Sequence, residues 1–527
     1  MSIDFGQNKI LKARSVLVGL VTLSFILAKL HWLHAPLDRD EGTYLYLGKC
    51  FIEGYRPYID FYEIKPPGVF FVYGIFYQIF GNSIIALHIG LAMVQLLSSI
   101  IIFSLTNSMF NNKLAATIAF CIYLLLCLST SLLSFGLNSE FFINLFFILS
   151  LYFLYRSTHY NTVQYLFVSG LCLAMCVMIR QQAVVFILPY IAVFFMLCKN
   201  KQLPIQSGIY IFLGFAMYVG LLISYVCYRS GFSEMYYWVW ERPFSFYLEN
   251  ITWTKGKAYM LHFLNNFVIE NYIVLICCLV GLIAIMINQK IGTDIKLFLT
   301  LLFIVSLIAI VPGFRFFPHY WIYLIPFLSL SASGLHLLGR EKTMISIMLI
   351  FLTSHLLVNA KTFFITPAIQ SYSNIYGKNP NIAVKKITDY IKKHANKQDK
   401  LYVFGSEPQV YFEADFIPNL RHVYVAFAFQ PLPTDTIFQA EILDYLQKEK
   451  PKYILHVQNS LSVLLHPKSS KLLYEELFKI EESEYKPIIF AKINENHGNA
   501  VECFYGEDAV KQSIFEKNYV VLYQRKY

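Results

Sequence analysis

The chain has 527 residues, a formal net charge of +10, 57% hydrophobic residues and only 14% charged ones, against roughly 25% charged in a soluble domain. With a mean hydropathy of +0.51 and 17% aromatics, the apolar excess is too large for one buried core and must face lipid. That excludes an ordinary soluble enzyme and implies an α-helical polytopic membrane protein.

In chain order, Lys9, Lys12 and Arg14 precede an apolar run reaching Trp32. The run is long enough to span and no small-residue cleavage site follows, so it reads as a first span and not a signal peptide. A polar stretch, LDRDEGTYLYLGKCFIEGYRPYIDFYEIKPPG, occupies Leu37 to Gly68. The next apolar run, at 68 to 81, is too short to cross roughly 30 Å of hydrocarbon and carries interface-type aromatics, which predicts an interfacial helix. Further runs fall at 83–110, 114–135, 141–155, 162–179, 183–198, 204–228, 269–288, 297–312, 319–338 and 343–360, giving about eleven spans.

Loop charges support this parity, because cytoplasmic loops are enriched in Lys and Arg. Lys113, Arg156, Lys199, Lys201, Lys290, Lys296, Arg340 and Lys342 all fall on the side of the N-terminal basic cluster. The other face receives the acidic loop 34–67, the corner Asn138-Ser139-Glu140, loop 229–268 and the corner Arg315 to Tyr320. Eight of the ten cysteines lie in apolar stretches, and neither a disulfide framework nor zinc spacing is visible.

After Lys361 the chain turns polar, with strand-like runs at 401–405 and 452–457. Between them PTDTIFQAEILDYLQKEK reads as an amphipathic helix capped by Thr434 or Asp435. The division expected is therefore 1–360, a transmembrane catalytic domain with outer catalytic loop 34–82, and 361–527, an extracytoplasmic α/β domain. GSEPQVYF from Gly405 reads as a plain strand-to-helix turn, with a ligand loop after a strand as the alternative. No repeat, Walker motif, GxGxxG or nucleic-acid signature occurs, so nucleic acid is not an expected partner.

The adjacent carboxylates Asp40 and Glu41 follow the first span, and Lys65 precedes Pro66-Pro67, which keep it out of a helix. An Asp-Glu pair, a Gly-x-x-Pro-Tyr segment (Gly54 to Tyr58) and Lys-Pro-Pro in this order resemble the polytopic glycosyltransferases of the GT-C fold. The resemblance points to the group of protein O-mannosyltransferases and lipid A aminoarabinose transferases. It extends over the first 360 residues in layout and is motif-specific over 37–81. It implies that Asp40 is the essential carboxylate and that Lys65 holds the donor phosphate. Some relatives have an Asp in the second outer corner, where this chain has Asn138-Ser139-Glu140.

The chemistry follows from the residue types as well. A polyprenyl-phosphate sugar carries a good leaving group, so its phosphate needs cations, for which Lys65, Arg180, Arg315 and His319 are candidates. The acceptor hydroxyl needs a base, for which Asp40 is the candidate, with Glu41 positioning it or the acceptor. Attack opposite the phosphate inverts the anomeric centre. Asp40 and Glu140 are candidate ligands for a divalent cation. The acceptor expected is a lipid-linked glycan, a cell-surface polysaccharide or a protein, and a tail-bearing donor explains the membrane setting, in the bacterial inner or plasma membrane.

Plainer readings stand beside these. Asp38, Arg39, Asp60 and Glu63 read as loop charges or local salt bridges. Asn138 and Glu140 also suit a helix N-terminus. Arg180 suits an interface anchor and Arg315 to Tyr320 an aromatic belt. Loop 229–268, with Glu241, Arg242, Tyr247 and Lys255, reads as a gating loop or an interfacial helix pair, and Asn250 opens a glycosylation sequon. The alternative functions are a flippase or exporter, a ligase or polymerase of lipid-linked glycans, and a non-enzymatic scaffold. No span carries the buried ionisable pairs or matched broken helices of alternating access.

Overall fold

The computed structural model describes residues 5–160, 163–244, 252–494, 500–512 and 518–526. Among them, eight helices are long and apolar enough to cross a membrane: those at 12–31, 84–110, 139–158, 181–199, 205–230, 253–287, 293–310 and 341–358. Three shorter apolar helices accompany them, at 68–80, 113–126 and 163–179. The chain is an integral multi-pass membrane protein.

Helix α1 is Phe5–His31. The stretch that follows, expected as an open acidic loop, instead forms α2, Arg39–Ile52. Its cause is local: the Glu41 N–H donates to the side chain of Asp38 at 2.9 Å, and Asp40 and Glu41 sit in the first turn, where carboxylates oppose the helix dipole. Helix α3, Gly68–Phe80, has 13 residues and spans about 20 Å, short of a bilayer as expected. It lies against α2 at a glycine-to-glycine contact, where a Cβ on Gly48 would sit 2.5 Å from Gly74 N.

Helices α4 (Ile84–Phe110), α5 (Lys113–Leu126), α6 (Ser139–Tyr160) and α7 (Val163–Ile179) follow. Helix α7 meets the Gly208–Ser230 helix at another close approach: a Cβ on Gly170 would lie 1.9 Å from Ile211 O, and one on Gly214 2.0 Å from Phe167 O. Such small-residue seams bring backbones together where lipid gives no hydrophobic drive.

One expectation is corrected. The run 319–338 is not one α-helix: it joins a 3-10 stretch at Pro318–Leu324, an α segment at Ile325–Ala332 and a second 3-10 turn at Ser333–Leu337. Pro318 and Pro326 remove backbone donors there, and the stretch is buried nearly all round. The described residues of loop 229–268, read as a gating loop or an interfacial helix pair, are largely helical. Phe232–Tyr236 continues through a π turn to Glu241, and Trp253–Ile287 runs unbroken for 35 residues from its Thr252 cap. Tyr247 and Asn250 lie outside the described residues.

The C-terminal region carries a five-stranded mixed sheet, β1 (Leu401–Phe404), β2 (Tyr453–Gln458), β3 (Tyr485–Asn494), β4 (Ala500–Tyr505) and β5 (Tyr519–Arg525), in the order β1-β2-β5-β3-β4. Strands β1 and β2 are parallel and are joined by a crossover that includes the predicted helix, Pro433–Glu449. Its cap differs from expectation. Pro433 opens the helix and no side chain caps it, while Asp435 accepts the Gln430 N–H at 2.6 Å.

This sheet domain is seated on α2. A Cβ on Gly42 would fall 2.2 Å from the Cβ of Gln409, so only glycine lets α2 meet the Gln409–Ala414 helix this closely. Buried Arg242 adds a second tie, pairing with Asp435 at 2.9 Å and donating to Phe427 O at 2.6 Å.

Candidate active site

A cavity of about 1270 Å³ opens between the first turn of α2, the Arg315 to Tyr320 corner and the sheet domain. Asp40, Lys65, Arg180, Arg315 and His319 all line it, so five residues spread over 280 positions of sequence meet at one place.

Asp40 is part-exposed, its side chain 38% accessible. The His319 Nε2 lies 3.7 Å and the Arg180 Nη2 4.0 Å from its Oδ2. Burial raises its pKa, but His319, Arg180, Lys65 and Arg39 outweigh that and hold the carboxyl below its ordinary value. His319 is shifted down, first by desolvation and then by Arg180 and Lys65, against the pull of Glu140 and Asp40. Near neutral pH the pair is therefore a carboxylate beside a neutral imidazole.

Arg180 sits where α7 ends, and is buried. Its Nη1 lies 2.7 Å from Glu140 Oε1, its Nη2–H donates to the Tyr44 hydroxyl at 3.0 Å, and its face covers Tyr320 at 5.3 Å. Glu140, in the first turn of α6, is fully buried. Arg180 is thus held from three sides, a positioning group for Asp40 as much as a free phosphate ligand.

Lys65 lies against Glu63, with Nζ 3.2 Å from Oε1, and its backbone is fixed by the Tyr58 hydroxyl donating to Lys65 O at 2.8 Å. The Gln181 Nε2–H donates to Ile64 O at 2.6 Å, tying this segment to the end of α7. Arg315 lies over the ring of Phe317 at 5.9 Å.

Two expected site residues are elsewhere. Glu41 is buried and faces away from the cavity, with the Leu137 N–H donating to its Oε1 at 2.8 Å and the His88 Nε2 3.9 Å from its Oε2. Neighbours on a helix point about 100° apart, so Asp40 and Glu41 cannot share a face. Asn138 shapes the second corner, its Nδ2–H donating to Leu133 O at 2.9 Å.

The residues as arranged do not fit the divalent ion considered for Asp40 and Glu140. The Arg180 guanidinium already occupies the position between these carboxylates. Among the described residues no group of three His, Cys, Asp or Glu is disposed to hold a metal.

Several contributors escape a reading of the sequence. Tyr44 stands one turn beyond Asp40 on α2, and the Asp38-x-x-Glu41 capping pattern signals that turn. Arg39 and Glu63, read as loop charges, line the cavity. Arg39 pairs at 2.9 Å with Glu407, a fully buried residue of the GSEPQVYF turn that also accepts from the Ser462 hydroxyl at 2.6 Å. Asp38 accepts from the Tyr376 hydroxyl at 3.1 Å, and burial beside Glu41 and Asp40 raises its pKa well above the usual range.

The family model described as dolichyl-phosphate-mannose-protein mannosyltransferase matches residues 64–228, a segment that holds Lys65, Glu140 and Arg180. Among solved structures, ArnT from Cupriavidus metallidurans bound to undecaprenyl phosphate superposes with a TM-score of 0.58 at 12% identity, covering 97% of each chain. The archaeal oligosaccharyltransferase AglB from Archaeoglobus fulgidus, in complex with an inhibitory peptide and a dolichol-phosphate, gives a TM-score of 0.54 at 13% identity, covering 99% of this chain and 77% of its own. The fold is that of the GT-C glycosyltransferases. No curated protein matches the chain by sequence.

Proposed function

We propose that this protein is an inverting glycosyltransferase that moves a sugar from a polyprenyl-phosphate donor to an acceptor hydroxyl on the extracytoplasmic face. The observation that carries the reading is the convergence of one accessible carboxylate, Asp40, with Lys65, Arg180, Arg315 and His319 in a single cavity of a GT-C fold. The solved structures that share this fold, ArnT with undecaprenyl phosphate and AglB with dolichol-phosphate, hold lipid phosphates, which supports the donor class.

Asp40 accepts the acceptor proton as the new C–O bond forms on the face of the anomeric carbon opposite the phosphate, a contribution of about 10² to 10⁴ in rate. The anomeric C–O bond to the lipid phosphate breaks, and its electron pair leaves on a phosphate oxygen facing Lys65 and Arg315. Because Asp40 is held below its ordinary pKa, it stays ionised throughout the neutral range. Any acid limb it causes falls below about pH 3.9.

The test is transfer by the full-length protein in nanodiscs, given radiolabelled polyprenyl-phosphate hexoses and pentoses with an envelope extract. Transfer lost in Asp40→Asn and unchanged by a chelator is the expected result. Lipid-linked sugar moved across the bilayer with no bond made would instead establish transport.

A further inference from the structure

The cavity has a second wall, supplied by the sheet domain, with a different composition. The membrane-domain wall carries carboxylates and guanidinium groups, whereas the sheet-domain wall carries six amides (Asn379, Asn381, Gln430, Gln458, Asn459 and Asn518), with one ammonium, Lys378, one imidazole, His466, and, among the described residues, no carboxylate and no guanidinium. Tyr424, Phe427 and Tyr474 stand among the amides.

This wall gathers at the carboxyl ends of the parallel strands β1 and β2. Gln458 ends β2, and Asn459 beyond it caps the short helix Ser460–Val463, whose Ser460 and Leu461 also line the cavity. That end of a parallel pair is where α/β folds leave a ligand crevice. The loop beyond β1 supplies Glu407, whose pairing with Arg39 joins the two walls.

Gln458 is held in place by a chain of buried contacts. His456 Nδ1 lies 2.9 and 3.0 Å from the carboxylate oxygens of Glu481, both residues being almost wholly buried. His456 Nε2 is 3.2 Å from Gln458 Oε1, and the Gln458 Nε2–H donates to the Tyr474 hydroxyl at 2.8 Å. An amide has two donors and two acceptor lone pairs, so these contacts commit only part of its capacity. Gln458 and Tyr474 both line the cavity, so their remaining hydrogen-bonding capacity is available there.

Resting on the glycosyl-transfer reading above, we propose that the sheet-domain wall is an acceptor subsite for a neutral saccharide, with Gln458 and Tyr474 binding its hydroxyls and His456 and Glu481 as positioning residues. Fixed amides and hydroxyls suit ligands rich in neutral hydroxyl groups, each of which donates and accepts. The negative faces of the neighbouring aromatic rings suit the C–H faces of a sugar ring. A peptide is less well served: the edge strands β1 and β4 contribute no residue to the lining, so strand addition has no template there.

The experiment is equilibrium binding to the full-length protein in nanodiscs, with two probes measured separately: short neutral malto-, manno- and xylo-oligosaccharides, and undecaprenyl phosphate. Gln458→Leu and Tyr474→Phe should each weaken oligosaccharide binding about tenfold, the scale of one lost hydrogen bond in a polar site, and leave lipid-phosphate affinity unchanged. Lys65→Ala should do the reverse. His456→Gln, which keeps a polar group toward Gln458, should retain more saccharide binding than His456→Leu. The proposal is overturned if no oligosaccharide binds a wild-type protein that binds the lipid phosphate, if binding ignores both wall variants, or if a peptide binds there in place of the saccharides. If saccharide binding depends on Gln458 while the lipid phosphate fails to bind, the subsite stands and the glycosyl-transfer reading falls.

Discussion

The two walls of the cavity handle polarity in opposite ways. On the membrane-domain side, charges meet charges: Arg180 answers Glu140 at 2.7 Å, Lys65 answers Glu63 at 3.2 Å, and Asp40 stays accessible among cations. On the sheet-domain side neutral amides and hydroxyls are fixed by hydrogen bonds, as where Gln458 donates to Tyr474 at 2.8 Å. Each kind of work has its place: stabilising a leaving phosphate calls for preorganised charge, whereas recognising an uncharged hydroxyl calls for oriented dipoles.

The comparison can be broken most severely at Arg180. Arg180→Ala strands the Glu140 carboxylate, which has no exposure, and should cost about 3–5 kcal/mol of stability, read as a lower unfolding midpoint in detergent. Arg180→Lys should recover part of that loss while transfer stays low, because lysine lacks the fork that reaches Glu140 and Tyr44 together. Lys65→Ala comes next. Losing one charge-assisted contact, about 1.5–3 kcal/mol, should weaken undecaprenyl phosphate roughly 10- to 100-fold, with saccharide binding on the other wall unmoved.

The joint between the walls is a separate target. Gly42→Val drives side-chain atoms into Gln409, an overpacking cost of about 1–3 kcal/mol. Limited proteolysis should then release the sheet domain faster, and transfer should fall further than lipid-phosphate binding. The smallest effect sharpens the contrast from within the sheet domain. Burial pushes the Glu413 carboxyl up to about 7, against the opposing pull of Lys385. Its folded value is raised, so its contribution to stability is complete below the ordinary carboxylate range and fades as pH rises toward about 7. Glu413→Gln should therefore be about 1–3 kcal/mol more stable than the parent above pH 7 and indistinguishable near pH 4.

Much of the charged wall was legible because span parity does the sorting. Once 68–81 is kept from crossing, Asp40, Lys65, Arg180, Arg315 and His319 all fall on one face, and the structure brings those five together. What was misread is local. Asp38 and Glu41 look like an acidic loop, yet one caps α2 and the other points into the bundle, and that turn decides which carboxylate reaches the cavity. The amide wall was not legible at all. Asn and Gln at 379, 430, 458 and 518 are ordinary surface residues in sequence, and only the β1-β2-β5 order sets 458 beside 518. Likewise Glu407 and Arg39 give no sign of each other across 368 positions.

The most direct test of the central claim separates binding from chemistry at Asp40. Single-turnover transfer and undecaprenyl-phosphate affinity should be measured on the same Asp40→Asn preparation in nanodiscs. The expected result is a rate lower by about 10² to 10⁴ with lipid-phosphate affinity unchanged or tighter, since the substitution removes a negative charge from a phosphate site. Transfer at the parent rate, or a loss of transfer explained wholly by lost lipid-phosphate affinity, would contradict it.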